Sequence, residues 1–104
     1  VRLSPTLVLS LWDEDQFEGE VGPISRGDGL VPFTLAHNVP SREDVDRVLA
    51  EAEAAGASAV SLGQQRDWGG YSGYFADPDG VRWEVAYNPA PLGVELMEAE
   101  GLNP

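Results

Sequence analysis

The stretch YFADPDGVRWEV, residues 74–85, decides how this 104-residue chain folds. Asp77-Pro78-Asp79-Gly80 spells a tight turn, because proline presets φ and glycine accepts a positive φ at little cost. Tyr71–Ala76 and Val81–Tyr87 read as the strands on either side of it. Alternation along the second strand puts Arg82, Glu84 and Ala86 on one face and Val81, Trp83, Val85 and Tyr87 on an apolar opposite face. A helix packed on the apolar face leaves Glu84 pointing into whatever cavity the other face lines.

That helix lies just upstream. Residues 31–39 (VPFTLAHNV) read as a strand that Pro40 stops, since proline has no N–H and disfavours helix before it. Ser41 then caps a helix over 41–55, with Asp44 three residues on in a near capping box. Val45, Val48, Leu49 and Ala52 keep the spacing of one buried stripe, and Glu43, Asp46, Arg47, Glu51 and Glu53 face water. Gly56 supplies the stop. Ser58–Leu62 is a further strand, with residues 63–70 as its extension or a connecting loop.

Residues 31–89 thus read strand, helix, strand, strand, strand. Further out the signals weaken. Thr6–Trp12 (TLVLSLW) predicts an extra N-terminal strand, with Leu7, Leu9 and Leu11 on one face and Val8, Ser10 and Trp12 on the other. Residues 13–30 predict a loop, in which Asp13, Glu14, Asp15, Glu18 and Glu20 form a solvated acidic run. Residues 88–104, with Pro89, Pro91, Gly93 and Pro104, predict a tail holding at most a helical turn at Val94–Ala99. The expected fold is therefore α+β: one βαβββ module plus an N-terminal strand, forming part of a curved mixed sheet with the helix on its convex face.

The totals narrow the partners. Eighteen acidic residues against six arginines give a formal charge of −12, which repels phosphate backbones and anionic membrane surfaces. With no cysteine, thiolate chemistry, disulfides and cysteine-held zinc are excluded. No apolar stretch approaches the roughly 20 residues that span a bilayer, nor does the start carry a basic segment followed by an apolar one, so the expectation is a cytoplasmic protein.

Tyr74-Phe75, Asp77-Pro78-Asp79-Gly80 and Trp83-Glu84-Val85, standing after this helix, resemble the closing segment of the vicinal oxygen chelate superfamily, the glyoxalase/bleomycin-resistance/dioxygenase fold. Leu35-Ala36-His37-Asn38-Val39 and Trp68-Gly69-Gly70-Tyr71-Ser72-Gly73-Tyr74 are similar to a bacterial branch of it. The resemblance covers about the last 75 residues well. It implies a domain of two βαβββ modules around one cavity, of which this chain lacks most of the first. Residues 1–30 are then strand and acidic loop, 31–89 the complete module, and 90–104 a tail. The chain is expected either to be a piece of a longer one or to pair as a homodimer that covers its open strand edges.

The resemblance also implies where a metal would sit: a His or Gln near the start of each module and a Glu or His on each last strand. Glu84 matches the last-strand carboxylate. Thr34 stands at the first-strand histidine position, where a hydroxyl is a poor ligand for a transition metal. Val8 or Ser10 would face the cavity from the N-terminal strand, and neither ligates. His37, the one histidine, falls with Phe33, Leu35 and Val39 on the other face and reads as a hydrogen-bonded core residue. One ligand in three positions falls short of the three protein ligands of a catalytic metal, so no metal or other cofactor is expected, with a divalent metal as the alternative.

Without metal, Glu84 has two readings. It is a half-buried carboxylate paired with Arg82 or Arg66, or a general base whose pKa a poorly solvated cleft raises, the chain's candidate catalytic residue. Trp12, Trp68, Tyr71 and Tyr74, with Thr34, Arg82 and Glu84, are the expected ligand-binding residues. Phe33, Phe75 and Trp83 are expected in the core, and Trp68 at a sheet rim. An anionic, aromatic cleft suits planar cations. The chain is accordingly expected to bind a small organic, cationic aromatic ligand. The alternatives are a metal-dependent lyase, isomerase or dioxygenase of the same fold, or a degenerate domain serving as an interaction module.

Overall fold

The Asp77–Gly80 turn forms as its residues dictate. Gly80 takes φ +84°, and its N–H bonds the Asp77 carbonyl at 2.9 Å. The Asp77 carboxylate accepts from the Asp79 and Val81 N–H groups at 2.9 and 3.0 Å and from the Trp83 indole at 3.0 Å. The Trp83 bond, helped by those backbone donors, holds the Asp77 carboxyl below its ordinary range.

The computed structural model describes residues 1–24, 27, 28, 30 and 32–102. In chain order the elements are β1 (Arg2–Ser4), β2 (Leu7–Val8), α1 (Glu14–Glu20), β3 (Leu35–Asn38), α2 (Arg42–Ala54), β4 (Ser58–Gln65), β5 (Tyr71–Ala76), β6 (Arg82–Tyr87) and α3 (Pro91–Ala99). The fold is α+β, with an open four-stranded mixed sheet in the order β3-β6-β5-β4 and a separate two-stranded sheet of β1 and β2. β3 runs parallel to β6, while β5 is antiparallel to both β6 and β4.

α2 is built as its caps and stripe require. Ser41 Oγ accepts from the Asp44 N–H at 3.1 Å and donates to the Asp44 carboxylate at 2.9 Å. At the other end Gly56 N–H bonds Glu53 O and Ala57 N–H bonds Ala52 O, each at 3.0 Å, the paired closure that satisfies the last carbonyls. Val45 and Leu49 are buried against Val39 and Val85, with Val48, Tyr71, Phe75 and Tyr87 packed around them. Gly73 of β5 permits this approach: a Cβ there would lie 2.4 Å from Leu49 Cδ1 and 2.5 Å from the Ser61 carbonyl oxygen.

Four expectations are corrected. Thr6–Trp12 is not one strand beside the main sheet. Only Leu7–Val8 pairs, with Arg2–Ser4, and the Val1–Leu9 bonds extend that hairpin. The acidic run is not a loop. Asp13 Oδ1 accepts from Asp15 N and Gln16 N, starting α1 at a point where the acids of its first turn meet the helix's positive end. The predicted tail holds α3, which begins with Pro91 at its first turn and buries Leu96 and Met97. The first strand of the module is four residues, Leu35–Asn38, because β6, its partner, starts only at Arg82 after the tight turn. Ser25, Arg26 and Gly29 of the predicted loop, Val31 of the predicted strand, and Asn103 and Pro104 of the tail lie outside the described residues.

Candidate functional site

Glu84 faces away from α2, as alternation requires. Val85 packs against the helix, and Glu84 pairs in register with Ala36 of β3 and Tyr74 of β5. It is 8% exposed and not half-buried. Its Oε2 accepts from the Tyr74 hydroxyl at 3.0 Å, and the buried Ser72 hydroxyl favours its charged form. Arg66, just past β4, acts through Ser72. Its Nε donates to Ser72 Oγ and its Nη2 to the Ser72 carbonyl, both at 3.0 Å, while the guanidinium lies 5.5 Å from the Tyr74 ring centroid. Burial pushes the Glu84 carboxyl above its ordinary range, against the opposing bonds from Tyr74 and Ser72 and the nearby Arg66 charge.

A second carboxylate completes the group. Glu20, the last residue of α1, meets the Tyr74 hydroxyl from the other side. Burial, and the two acids beside it, push Tyr74 far above the ordinary phenol range, so it keeps its proton. Two adjoining cavities open on this face, of about 990 and about 820 Å³. Trp12 and Glu84 line both; Thr34 lines the larger, and Glu20 and Trp68 the smaller. Among the described residues, the charged side chains on these walls are Glu14, Glu20, Asp67 and Glu84, with Arg66 as the cation, and Arg66 is committed to Ser72.

The expected site residues divide. Trp12, Thr34, Trp68 and Glu84 reach the cavity walls, and Tyr74 stands behind Glu84. Trp12 comes there from the segment before α1, its ring edge-on to Phe17 at 5.5 Å, and not from a sheet strand. Trp68 is 45% exposed at the rim, its ring filling the space a Gly70 side chain would take. Tyr71 does not belong: it lies on the α2 face and donates to Asp46 at 2.7 Å. Its spacing of three from Tyr74 puts the two rings on opposite faces of one strand. Arg82 lines neither cavity and does not pair with Glu84; what the site uses of it is a carbonyl, which accepts from Thr34 Oγ1 at 2.8 Å. His37 is exposed and not in the core, and Phe33 is exposed on the wall of the larger cavity.

Sequence reasoning missed Glu20, Ser72 and the α3 residues Leu92 and Leu96, which line the smaller cavity. Asp13 followed three residues on by Gln16 carries a helix-start signature that could have brought Glu20 out of the supposed loop. Nothing local marks Ser72.

The donor set does not fit a metal. Among the described residues no three His, Cys, Asp or Glu side chains converge. The Thr34 hydroxyl is committed to a carbonyl, and His37 is one residue off the register that carries Ala36 to Glu84.

The family model of the glyoxalase/bleomycin resistance protein/dioxygenase superfamily matches residues 10–85, and the chain belongs to that superfamily. Among solved structures it is similar to a glyoxalase-related enzyme from Fulvimarina pelagi, at 33% identity over 73% of this chain and 53% of that one, with a TM-score of 0.53. It is also similar to a glyoxalase/bleomycin resistance protein/dioxygenase family enzyme from Burkholderia phytofirmans PsJN, at 25% identity over 61% of this chain and 49% of that one, TM-score 0.53. A glyoxalase/bleomycin resistance protein/dioxygenase from Nocardioides shares the fold at 22% identity, covering 73% and 52%, TM-score 0.51. The chain thus spans about half the length of these structures. No curated protein matches it.

Proposed function

We propose that this chain binds a small organic cation, aromatic in part, in the cleft on the Glu84 face, without a metal. The observation that carries the reading is the pair of carboxylates, Glu20 and Glu84, set on the wall of a cleft that Trp12 and Trp68 also line. Buried carboxylates on a wall where acids outnumber cations among the described residues favour positive charge, and an exposed indole adds cation–π attraction. The chain's formal charge of −12 steers such ligands inward.

Titrating the protein with N-methylquinolinium, a planar cation, should quench tryptophan fluorescence, while a naphthalene sulfonate of similar size should not. Trp68→Ala should weaken binding by roughly 2- to 30-fold, the range of one cation–π contact. Glu84→Gln should weaken it too, because the amide keeps the shape and loses the charge. Equal affinity for cation and anion, or unchanged affinity in both variants, would refute the reading.

A second reading is supported by the raised Glu84 carboxyl alone: a group that holds its proton more tightly than an ordinary carboxylate suits general acid–base catalysis. The same variant separates the two, since Glu84→Gln in an enzyme would abolish turnover with substrate affinity kept.

A further inference from the structure

Glu20 and Glu84 come from elements far apart in the chain and meet at one hydroxyl. The Tyr74 Oη of β5 lies 3.0 Å from Glu84 Oε2 and in contact with Glu20 Oε2. A phenol has one proton to donate. It can serve one carboxylate, and a second carboxyl oxygen approaches it favourably only by bringing a proton of its own. Three oxygens in this row therefore need two protons, one on Tyr74 and one on the carboxyl pair.

The two acids are not held equally. Glu84 stands in β6, flanked on both sides by strands, with the Ser72 hydroxyl, fixed by Arg66, favouring its charged form. Glu20 ends a seven-residue helix that buries one side chain, Phe17, and has no basic residue in its last turn. When the carboxyl proton is lost, Tyr74 stays with Glu84, and Glu20 is left as a bare carboxylate facing another.

We propose that α1 is a proton-controlled strap across the Glu84 face, seated while the carboxyl pair holds one proton and lifted when that proton leaves. The strap forms part of the cleft wall: Glu14 and Phe17 border the larger cavity, and Gln16, Gly19 and Glu20 the smaller, with Trp12 just before the strap on both. Among the described residues, the charged and titratable groups facing the pair are Tyr74 from β5, and Arg66 with its neighbour Asp67 from the segment after β4. β3 faces it with Ala36 and Asn38, and α3 with Leu92 and Leu96, none of which titrates. Arg66 favours the charged state of Glu84, but burial outweighs it. The sign follows from a carboxyl that is easier to protonate in the seated state than in the open one. Its contribution is complete below the ordinary glutamate value of 4.5 and is lost as pH rises through the raised value. The strap thus closes in acid and opens toward neutral pH. It needs no ligand, but it bears on the binding reading: seated, the two acids carry one charge between them, and lifted, Glu84 supplies the charge of the wall without Glu20.

Amide hydrogen exchange of the whole chain, read by mass spectrometry as protection relative to an unstructured peptide, tests this from about pH 4 to about pH 8. In the wild type, protection of residues 14–20 should fall by up to about tenfold per pH unit above the carboxyl's raised value, while β5 and β6 stay protected. Glu84→Gln and Glu20→Gln each remove the need for the shared proton, so α1 should stay protected across the range. Tyr74→Phe removes the bridge and should leave α1 poorly protected at every pH. Wild-type protection of α1 that does not change with pH overturns the proposal, as does a pH step that persists in both glutamine variants. The β6 amides report in each variant whether the sheet is folded, and the wild-type titration decides alone if a variant is not.

Discussion

Against α2 the sheet presents Val85, Phe75 and the bare backbone of Gly73, and Leu49 is left 1% exposed. On the opposite face α1 reaches Tyr74 through Glu20, and Leu11 in the segment before it is left 84% exposed. One face is apolar against apolar and closed. The other carries a carboxylate, a phenol and a serine hydroxyl that must find partners, and the segment covering it leaves two cavities. Stability is concentrated on the first face, and the chemistry that could recognise a ligand on the second. The separation has a physical basis. A close-packed apolar core has no room for a ligand, and polar groups that bind one are costly to bury unless paired.

Three substitutions test that separation. The largest effect is expected from Leu49→Ala, which should lower stability by ~2–5 kcal/mol in chemical denaturation, because α2 cannot collapse onto the cavity left under it. A loss below about 1 kcal/mol would show that the α2 face is not the principal core. Phe17→Ala should be smaller and local: in acid, where α1 is seated, the helix loses its one buried anchor and its hydrogen-exchange protection, while the global midpoint moves by less than about 1 kcal/mol. If instead the whole chain unfolded at lower denaturant, the strap would be part of the core and the comparison would fail. Leu11→Ser should be smallest, within about 0.5 kcal/mol on stability, since the side chain is already in water. It should still weaken N-methylquinolinium binding, because Leu11 borders both cavities. A stability loss as large as that of Leu49→Ala would mean the arm is packed in solution against something that buries it.

The site was half legible. Glu84 was readable because a strand's alternation leaves no choice once Val85 is assigned to the helix. The same rule separates Tyr71 from Tyr74, and grouping those rings neglected it. Thr34 and the two tryptophans came from resemblance and from their place beside strands. Glu20 was not readable, because its role depends on a residue 54 positions away. The local signal at Asp13 speaks only for a helix start.

What the sequence determined by itself is the module. The DPDG turn, the Ser41 cap, the stripe of Val45, Val48 and Leu49, and the period-two strands each follow from interactions within a few residues, and all agree on one arrangement. Only the tertiary structure decided what covers the Glu84 face. A two-residue strand and a seven-residue acidic helix are too short to be stable alone. They exist where Phe17 finds a buried seat and Glu20 finds Tyr74, and those contacts are made by a surface that forms only after β5 and β6 have paired.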